Sequence, residues 1–506
     1  MRDLSELVSL VSKNKTKNIE VLGQGEKNFS NKVNALYEAL LDGRIDSEEA
    51  AIEAFFSDCA NPRQALRKAR AKLKEKLINT IFFIDLNKAK FNDEQRAYYT
   101  CQKEYAALMI LVGRGAWKKL TIDMGERLLR VAMKYEFTDL VVNVLKVLLD
   151  QYMLTGNTKK LAKASSMLEK YMGIQHAEAL AERYYCDLAV TLVKSKAAHG
   201  NREKQAQRYV EALERVPAEH RSFKFIRRYY DVRFFRYALV HDYPRMLQAV
   251  EEALAALLPH QDKLSPSNFI VLRQYLAACQ LHLGLYEDAA KNLDEALKLL
   301  PRYSISWFNN MAYRIQLHFH QERYQEAAQI FFDAYYRPEV QRLPAHYKEW
   351  WHIIEAFFHF LIMVGKVKPT LKQESLMRRF KLSRFLNEVV EYSKDKQGAN
   401  ITILALQIMF LLATNRHDEV LDRIEALKAY SSRHLRKNET YRSSCFIYMV
   451  SQLPLGHFSK KPVYLRARRY IKKLDAMPLR KARQSSELEL IPYEQLWSLI
   501  YEQLRG

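Results

Sequence analysis

The sequence predicts an all-α protein built from stacked helical hairpins, and two properties of the 506-residue chain support this fold class. Glycine (14 residues) and proline (13 residues) are scarce, each at about half of its usual frequency or less. Apolar and small residues recur at helical spacing in paired segments. Large β-sandwiches and α/β enzymes use more glycine in turns and phosphate loops, so the composition favours long helices joined by short loops.

Residues 1–110 are predicted to form a basic N-terminal helical region. The stretch NKVNALYEALLDGRIDSEEAAIEAFF predicts two short helices. Gly43 ends the first of them, and Asp46 or Ser47 caps the second. Asn61 and Pro62 begin a third helix. The apolar side of this third helix contains Leu66, Leu73, Leu77, Ile81 and Ile84.

The third helix also carries a separate basic stripe, which consists of Arg63, Arg67, Arg70 and Lys74. Two short helices followed by a basic helix is the order of a helix-turn-helix module, whose last helix enters a groove of DNA. A solvated helix face or a docking surface presents the same stripe, because Lys and Arg are good helix formers. The stripe therefore has two interpretations, polyanion binding and a solvated or docking face.

The middle of the chain contains a recurring pattern, which is clearest in LGLYEDAAKNLDEALKLLP (283–301). Tyr286, Ala289 and Ala296 lie on one side of the predicted helix, where the two small residues let a neighbouring helix approach closely. Gly284 ends the preceding amphipathic helix, and Pro301 stops the next helix from running on. The stretch therefore predicts a helical hairpin and not a catalytic loop.

Similar segments precede and follow this hairpin. The corresponding positions are Gly200, Tyr209 and Ala212; Tyr243, Val250 and Ala253; Tyr324, Ala327, Phe331 and Ala334; and Asn415, Val420, Ile424 and Leu427. The steps from Ala212 to Ala253, Ala296 and Ala334 are 41, 43 and 38 residues.

A period of 34 residues or slightly more with this small–large–small code resembles the tetratricopeptide repeat. In the stretch 283–301, Gly284, Tyr286, Ala289, Ala296 and Pro301 occupy the glycine, aromatic, two alanine and proline positions of that repeat. The resemblance covers about residues 181–430. It implies a right-handed superhelical solenoid, assigned here to residues 111–437, with a groove that binds a protein or peptide.

Residues 438–506 are predicted to be basic C-terminal capping helices. The run SKKPVYLRARRYIKKLDAMPLRKAR contains the basic residues Arg466, Arg468, Arg469, Lys472 and Lys473. Tyr464 and Tyr470 lie among them, as on a surface that grips phosphates and stacks on bases. A cap has the same character, with Val463, Leu465, Ile471 and Leu474 closing the solenoid. The final helix is expected to fold back and dock through Leu496, Trp497, Ile500 and Leu504.

The sequence contains no recognisable catalytic, metal or cofactor motif. It has no HExxH, GxSxG or CxxC pattern, and the glycines at 23 and 25 lack the third glycine of a dinucleotide fingerprint. His318 and His320 are two residues apart and so lie on different helix faces. The five cysteines are scattered, as in a protein with reduced thiols. We therefore predict no enzyme activity, no cofactor and no metal.

The N-terminus has no signal-peptide pattern. The most apolar window, Trp350–Gly365, is too short for a typical membrane span and contains His352, Glu355 and His359. It predicts a buried core helix. A cytoplasmic location is the expectation that follows.

The formal net charge of +22 favours an anionic partner. The leading hypothesis is an intracellular, non-catalytic scaffold whose repeat groove captures a protein or peptide, favouring an acidic one, with Trp307 and Tyr313 as candidate groove residues. The alternative is a nucleic-acid-associated regulator whose basic termini contact DNA or RNA. A third hypothesis is a membrane-surface adaptor that uses the basic C-terminal helix.

Overall fold

The computed structural model describes residues 27–82, 93–115, 118–194, 199–378, 380–387, 399–434, 441–484 and 489–506, together with Leu4 and Val8. Within these residues every regular element is a helix, and an isolated bridge joins Ser459 to Arg505. The predicted all-α class is therefore confirmed for the described chain.

The chain forms two compact units, Met1–Leu168 and Glu169–Gly506, and the boundary falls inside one helix. The units group the chain differently from the regions 1–110, 111–437 and 438–506, which stay a prediction. The first unit contains α1 (Lys27–Leu41), α2 (Glu48–Phe55), α3 (Pro62–Ile81), α4 (Asp93–Gly113), α5 (Lys118–Lys134), α6 (Thr138–Leu154) and the start of α7 (Thr158–Lys194).

The helix boundaries of the N-terminal region follow the expected capping residues. Gly43 adopts φ +68° after α1, and the Ser47 hydroxyl accepts a hydrogen bond from the Ala50 backbone N–H at the start of α2. The Asn61 side chain caps α3 through the Gln64 N–H, with Pro62 at the first helical position. Leu66, Leu73 and Leu77 are buried, Ile81 is half-buried, and Ile84 lies outside the described residues.

The second unit continues the series of helices. It contains α8 (His199–Glu214), α9 (Phe223–Ala238), α10 (Tyr243–Leu257), α11 (Pro266–Leu283), α12 (Tyr286–Leu299), α13 (Ile305–His320), α14 (Tyr324–Tyr335), α15 (Ala345–Met363), α16 (Leu371–Met377), α17 (Leu382–Asn387), α18 (Ala399–Ala413), α19 (His417–His434), α20 (Tyr441–Val450), α21 (Gln452–Leu455), α22 (Lys460–Asp475) and α23 (Tyr493–Glu502). Short 3₁₀ segments lie at Ala218–His220, Leu258–Lys263, Pro338–Arg342 and Leu479–Lys481.

Consecutive helices of this series pack against each other as hairpins, from α9–α10 through α11–α12 and α13–α14 to α18–α19. The same turn joins the two helices of each hairpin. One residue adopts a left-handed conformation, and the next backbone N–H bonds back to the carbonyl five residues earlier at 2.8–3.0 Å. This is the Schellman helix ending. The left-handed positions are His241, Gly284, Glu322 and Asn415, and α5–α6 has Glu136 at its turn.

The buried positions of the second helices keep a fixed distance from the left-handed residue. They lie five, nine and twelve residues after it, and are Met246, Val250 and Ala253; Ala289, Leu293 and Ala296; Ala327, Phe331 and Ala334; and Val420, Ile424 and Leu427. Val141, Leu145 and Leu148 of α6 have the same spacing after Glu136. The hairpins thus bury one common face despite their different sequences.

The predicted register of α8 differs from the observed burial. Its buried residues are Ala206, Val210 and Leu213, which have the common spacing. Tyr209 and Ala212 are only half-buried, one residue before the buried positions. Gly200 is the second residue of α8, and residues 195–198 before the helix lie outside the described residues. The small Ala212 suggested the wrong residue, because an amphipathic pattern tolerates a shift of one residue.

The apolar window 350–365 forms most of α15, and most of its large apolar side chains are buried, as predicted. Trp351, Phe357, Phe358 and Phe360 are inaccessible and belong to the largest hydrophobic core of the second unit. In the described part of the chain, no helix combines the length and apolarity that crossing a membrane requires. Cys101, Cys279 and Cys445 are buried, whereas Cys186 is exposed.

Candidate functional site

The C-terminal segment between α22 and α23 lies across the ends of successive hairpins. We call residues 479–492 the C-terminal strap; the structure describes its residues 479–484 and 489–492. The strap is followed by α23, which packs against α18, α20 and α22. Leu496, Trp497, Ile500 and Leu504 are buried, as the amphipathic pattern of the final helix predicts.

Three hairpins hold the strap through its backbone carbonyls. His282 Nε2, at the end of α11, lies 2.9 Å from the Ala482 carbonyl oxygen. The Tyr243 hydroxyl, at the start of α10, donates to the Gln484 carbonyl at 3.1 Å. His320 Nε2, at the end of α13, lies 3.3 Å from the Glu489 carbonyl. Because these bonds use backbone atoms of the strap, they depend little on its side chains.

The two histidines occupy the same place in consecutive hairpins. Each lies two residues before the left-handed turn residue, Gly284 for His282 and Glu322 for His320. The Tyr243 ring stacks on His282 with centroids 3.6 Å apart. Gln495 Nε2 of α23 donates to the His320 carbonyl at 2.8 Å. The hairpin ends therefore form a row of polar side chains with the spacing of the hairpins.

Burial keeps these histidines neutral. It lowers the pKa of His282 and of His320 to about 4, although the hydrogen bonds to Ala482 and Glu489 act in the opposite direction. Nε2 donates to the carbonyl in each ring, which leaves Nδ1 without a proton; both Nδ1 atoms are buried and have no hydrogen-bond partner. Loss of hydration therefore opposes a second proton on either ring.

A buried ion-pair network fixes the end of the strap. The Arg442 guanidinium of α20 donates to both carboxylate oxygens of Glu489 at 2.8 and 2.7 Å, and to those of Glu494 at 2.8 and 2.6 Å. It also donates to the Met477 carbonyl at 2.6 Å. Burial alone would lower the pKa of Arg442, but the hydrogen bonds with the two carboxylates outweigh it and raise that pKa. The guanidinium stays charged and its donors are satisfied.

The basic residues predicted in the C-terminal region lie on α22. Arg466, Arg468, Arg469 and Lys472 are exposed, and none of them forms an ion pair with another residue that the structure describes. Lys473 is half-buried and lies over the Tyr470 ring, 6.0 Å from its centroid. Of the predicted apolar side, Val463 and Leu474 are buried and Ile471 is half-buried. Leu465 is 60% exposed, so its assignment to that side was wrong.

The predicted N-terminal stripe lies on α3. Arg63, Arg67 and Lys74 are exposed, whereas Arg70 is half-buried and forms an ion pair with Glu48 of α2. One of the four cations is thus neutralised within its own unit. The order of two helices and a basic helix is present, and DNA binding by this stripe stays a prediction.

A cavity of about 630 Å³ lies where α14, α15 and α17 meet. At its wall the Tyr335 hydroxyl donates to Glu355 at 2.8 Å and lies 2.8 Å from His352 Nδ1.

The candidate groove residue Trp307 is buried against Tyr303 and Phe308. Among the described residues, no cluster of His, Cys, Asp and Glu has the arrangement of a metal site.

Sequence reasoning missed the side chains that hold the strap. A signal was present, because His282 and His320 are 38 residues apart, within the range of the repeat steps. Their role became visible only with the strap in place, since the residues they bind are about 170–200 positions away. The sequence around Arg442 gives no indication of its role, because it is an isolated arginine in an apolar helix.

Comparison of the chain with protein-family models, with curated proteins and with solved structures finds no significant match to any of them.

Proposed function

We propose that this protein is a non-catalytic binding scaffold, in which tetratricopeptide-like hairpins form a right-handed superhelical solenoid that captures extended segments of partner proteins. We expect it to act in the cytoplasm. The observation that carries the proposal is the row of His282, His320 and Tyr243, which bind a C-terminal segment of the same chain through its backbone carbonyls.

This mode of binding suits a scaffold for two physical reasons. Side-chain donors on successive hairpins bind backbone carbonyls, which every polypeptide segment presents, so that a ligand spanning several hairpins gains hydrogen bonds from each. Burial of the donors keeps water from competing for the carbonyls. A partner segment takes the place of the strap on the row. The positive charge of the protein favours an acidic partner.

The test is selection of peptides from a random displayed library on the immobilised full-length chain. We expect extended peptides rich in Asp and Glu, with dissociation constants in the micromolar range. A synthetic peptide of residues 479–492 should compete with them, because it presents the same backbone. Affinities are measured by fluorescence anisotropy.

Two variants make this test specific. His320→Ala should lower the affinity for the selected peptides at least tenfold, because it removes one hydrogen-bond donor of the row. His176→Ala is the matched control, since His176 is an exposed histidine of α7, and it should leave affinity unchanged. If no peptide is selected, or if both variants bind as the wild type does, the capture of segments by the hairpin ends is refuted.

A further inference from the structure

The exposed side of α22 combines a high density of cations with aromatic rings. The helix has 16 residues and contains seven Lys and Arg against one acidic residue, Asp475. The side chains of Lys461, Arg466, Arg468, Arg469 and Lys472 are exposed. No ion pair within the described chain neutralises these five. We call this surface the α22 face, and its charge is unpaired as far as the described residues are concerned.

Lys472 and Lys473 lie in the last turn of α22, where the helix dipole favours cations, but other features of the arrangement oppose the stability of the helix. Lys460 and Lys461 lie in the first turn, where the helix dipole favours anions, and that turn contains no acidic residue. Arg468 and Lys472 are four residues apart, as are Arg469 and Lys473, and like charges at that spacing repel. A helix that only caps a hydrophobic core has no need of this repulsion. A bound polyanion would remove it.

Aromatic side chains lie on α22 and on the adjacent α20. Tyr464 is 46% exposed within α22, and Tyr448 of the adjacent α20 is 54% exposed. The Tyr448 ring stacks on Tyr470 with centroids 5.1 Å apart and an interplanar angle of 16°. Lys473 Nζ lies over the Tyr470 ring. The face thus offers flat rings at the surface, held in place by neighbours beside guanidinium groups.

We propose that the α22 face binds single-stranded nucleic acid. Arginine forks pair with phosphates in bidentate geometry, and exposed tyrosines stack on unpaired bases. A duplex has no unpaired bases to offer these rings, and a peptide rich in Asp and Glu has few aromatic groups to stack on them. This proposal concerns a surface apart from the His282–His320 row and does not rest on the scaffold function.

The experiment measures binding of a labelled 20-nucleotide single strand of mixed sequence to the full-length chain by anisotropy. We expect micromolar or tighter binding near 0.15 M salt. The logarithm of the binding constant should fall linearly with the logarithm of salt concentration, because neutralised phosphates release counterions. Replacing Arg466, Arg468, Arg469 and Lys472 by Glu should reduce affinity at least tenfold and make the salt dependence shallower.

A matched variant separates the α22 face from net charge. Replacing Arg63, Arg67, Lys68 and Lys74 by Glu changes the same amount of charge at exposed positions of α3. It should leave the affinity within about threefold of the wild type. Circular dichroism verifies that both variants keep their helix content. Equal loss in the two variants, or no loss in the α22 variant, overturns the proposal.

Three further probes test the kind of ligand. Tyr448→Ala and Tyr464→Ala should lower the affinity for the single strand at least threefold. They should leave the affinity for heparin unchanged, because heparin is a polyanion without bases. A duplex of equal length should bind more weakly than the single strand. Tighter binding of polyglutamate, or of vesicles containing phosphatidylserine, than of the oligonucleotide would assign the face to an acidic polypeptide or a membrane surface and overturn the proposal.

Discussion

Gly284 and Glu322 occupy the same position in two consecutive hairpin turns, with φ +77° and +57°. The left-handed conformation costs a residue with a Cβ atom roughly 1–2 kcal/mol, whereas glycine adopts it freely. Sequence reasoning recognised Gly284 and Asn415 in this position, because Gly and Asn are the usual residues there. It did not recognise His241 or Glu322, which the surrounding hairpin holds in the same conformation.

Exchanges at these two positions should change stability in opposite directions. Gly284→Ala should lower the free energy of unfolding by about 1 kcal/mol. An added Cβ meets no atom within 4 Å, so the backbone alone accounts for the loss. Glu322→Gly should raise the free energy of unfolding by about 0.5–1 kcal/mol. Glycine adopts the left-handed conformation without strain, and the exposed Glu322 side chain is not needed for packing. Urea unfolding measures both.

At the level of the helix, the second helices of the hairpins bury positions at a fixed distance from the left-handed turn residue. Ala289 packs among Ala277, Leu281 and Leu317, five residues after the left-handed Gly284. In α8 the corresponding buried residues are Ala206, Val210 and Leu213, and Ala212 is half-buried. Amphipathic patterns at a period near 3.6 tolerate a shift of one residue, and so the sequence left this register ambiguous.

Three leucine substitutions test the register. Ala289→Leu and Ala296→Leu should overpack closely approaching helices and lower the free energy of unfolding by about 1–3 kcal/mol each. Ala212→Leu is the matched control on a half-buried site, and its effect should stay within about 0.5 kcal/mol. A large loss for Ala212→Leu, or none for the two buried alanines, would contradict the common register.

At the scale of the second unit, the C-terminal strap connects helices that are far apart in sequence. His282 and His320 of the hairpins bind its carbonyls, and Arg442 binds Glu489 at its end. Removing one partner of such a buried pair leaves an uncompensated charge, which costs about 3–5 kcal/mol. The strap and α23 are therefore part of the folded unit and not an appended tail.

The buried histidines should make this unit sensitive to acid. Burial lowers the pKa of His282, His320 and His359 to about 4, whereas imidazole in an unfolded chain has a pKa of about 6.5. Between these values the unfolded chain binds protons that the folded chain does not, so stability falls as the pH falls. Between pH 7 and pH 5 the expected loss is about 2 kcal/mol for each imidazole.

The glutamine variant His320→Gln isolates one of these contributions. Its amide Nε2 can still donate to the Glu489 carbonyl but does not titrate. Urea unfolding at pH 7 and pH 5 should therefore show a smaller difference for the variant than for the wild type, by about 2 kcal/mol. An equal pH dependence in the two proteins would mean that His320 is not held neutral.

The sequence by itself determined the all-α class, the hairpins and the helix ends, because these depend on local properties. Helix caps such as Ser47 and Asn61, helix-stopping residues such as Gly43 and Gly284, and apolar spacing act within a few residues. It also located the basic helices α3 and α22, since charge along a helix is visible in the sequence.

Only the tertiary structure decided which of these residues act together. The neutralisation of Arg70 by Glu48, the exposure of Leu465 and the pairing of Tyr448 with Tyr470 depend on neighbouring helices. The site on the strap joins His282 to Ala482, which are 200 residues apart. Contacts at such separation depend on how whole hairpins pack, and no local pattern of residue types specifies that packing.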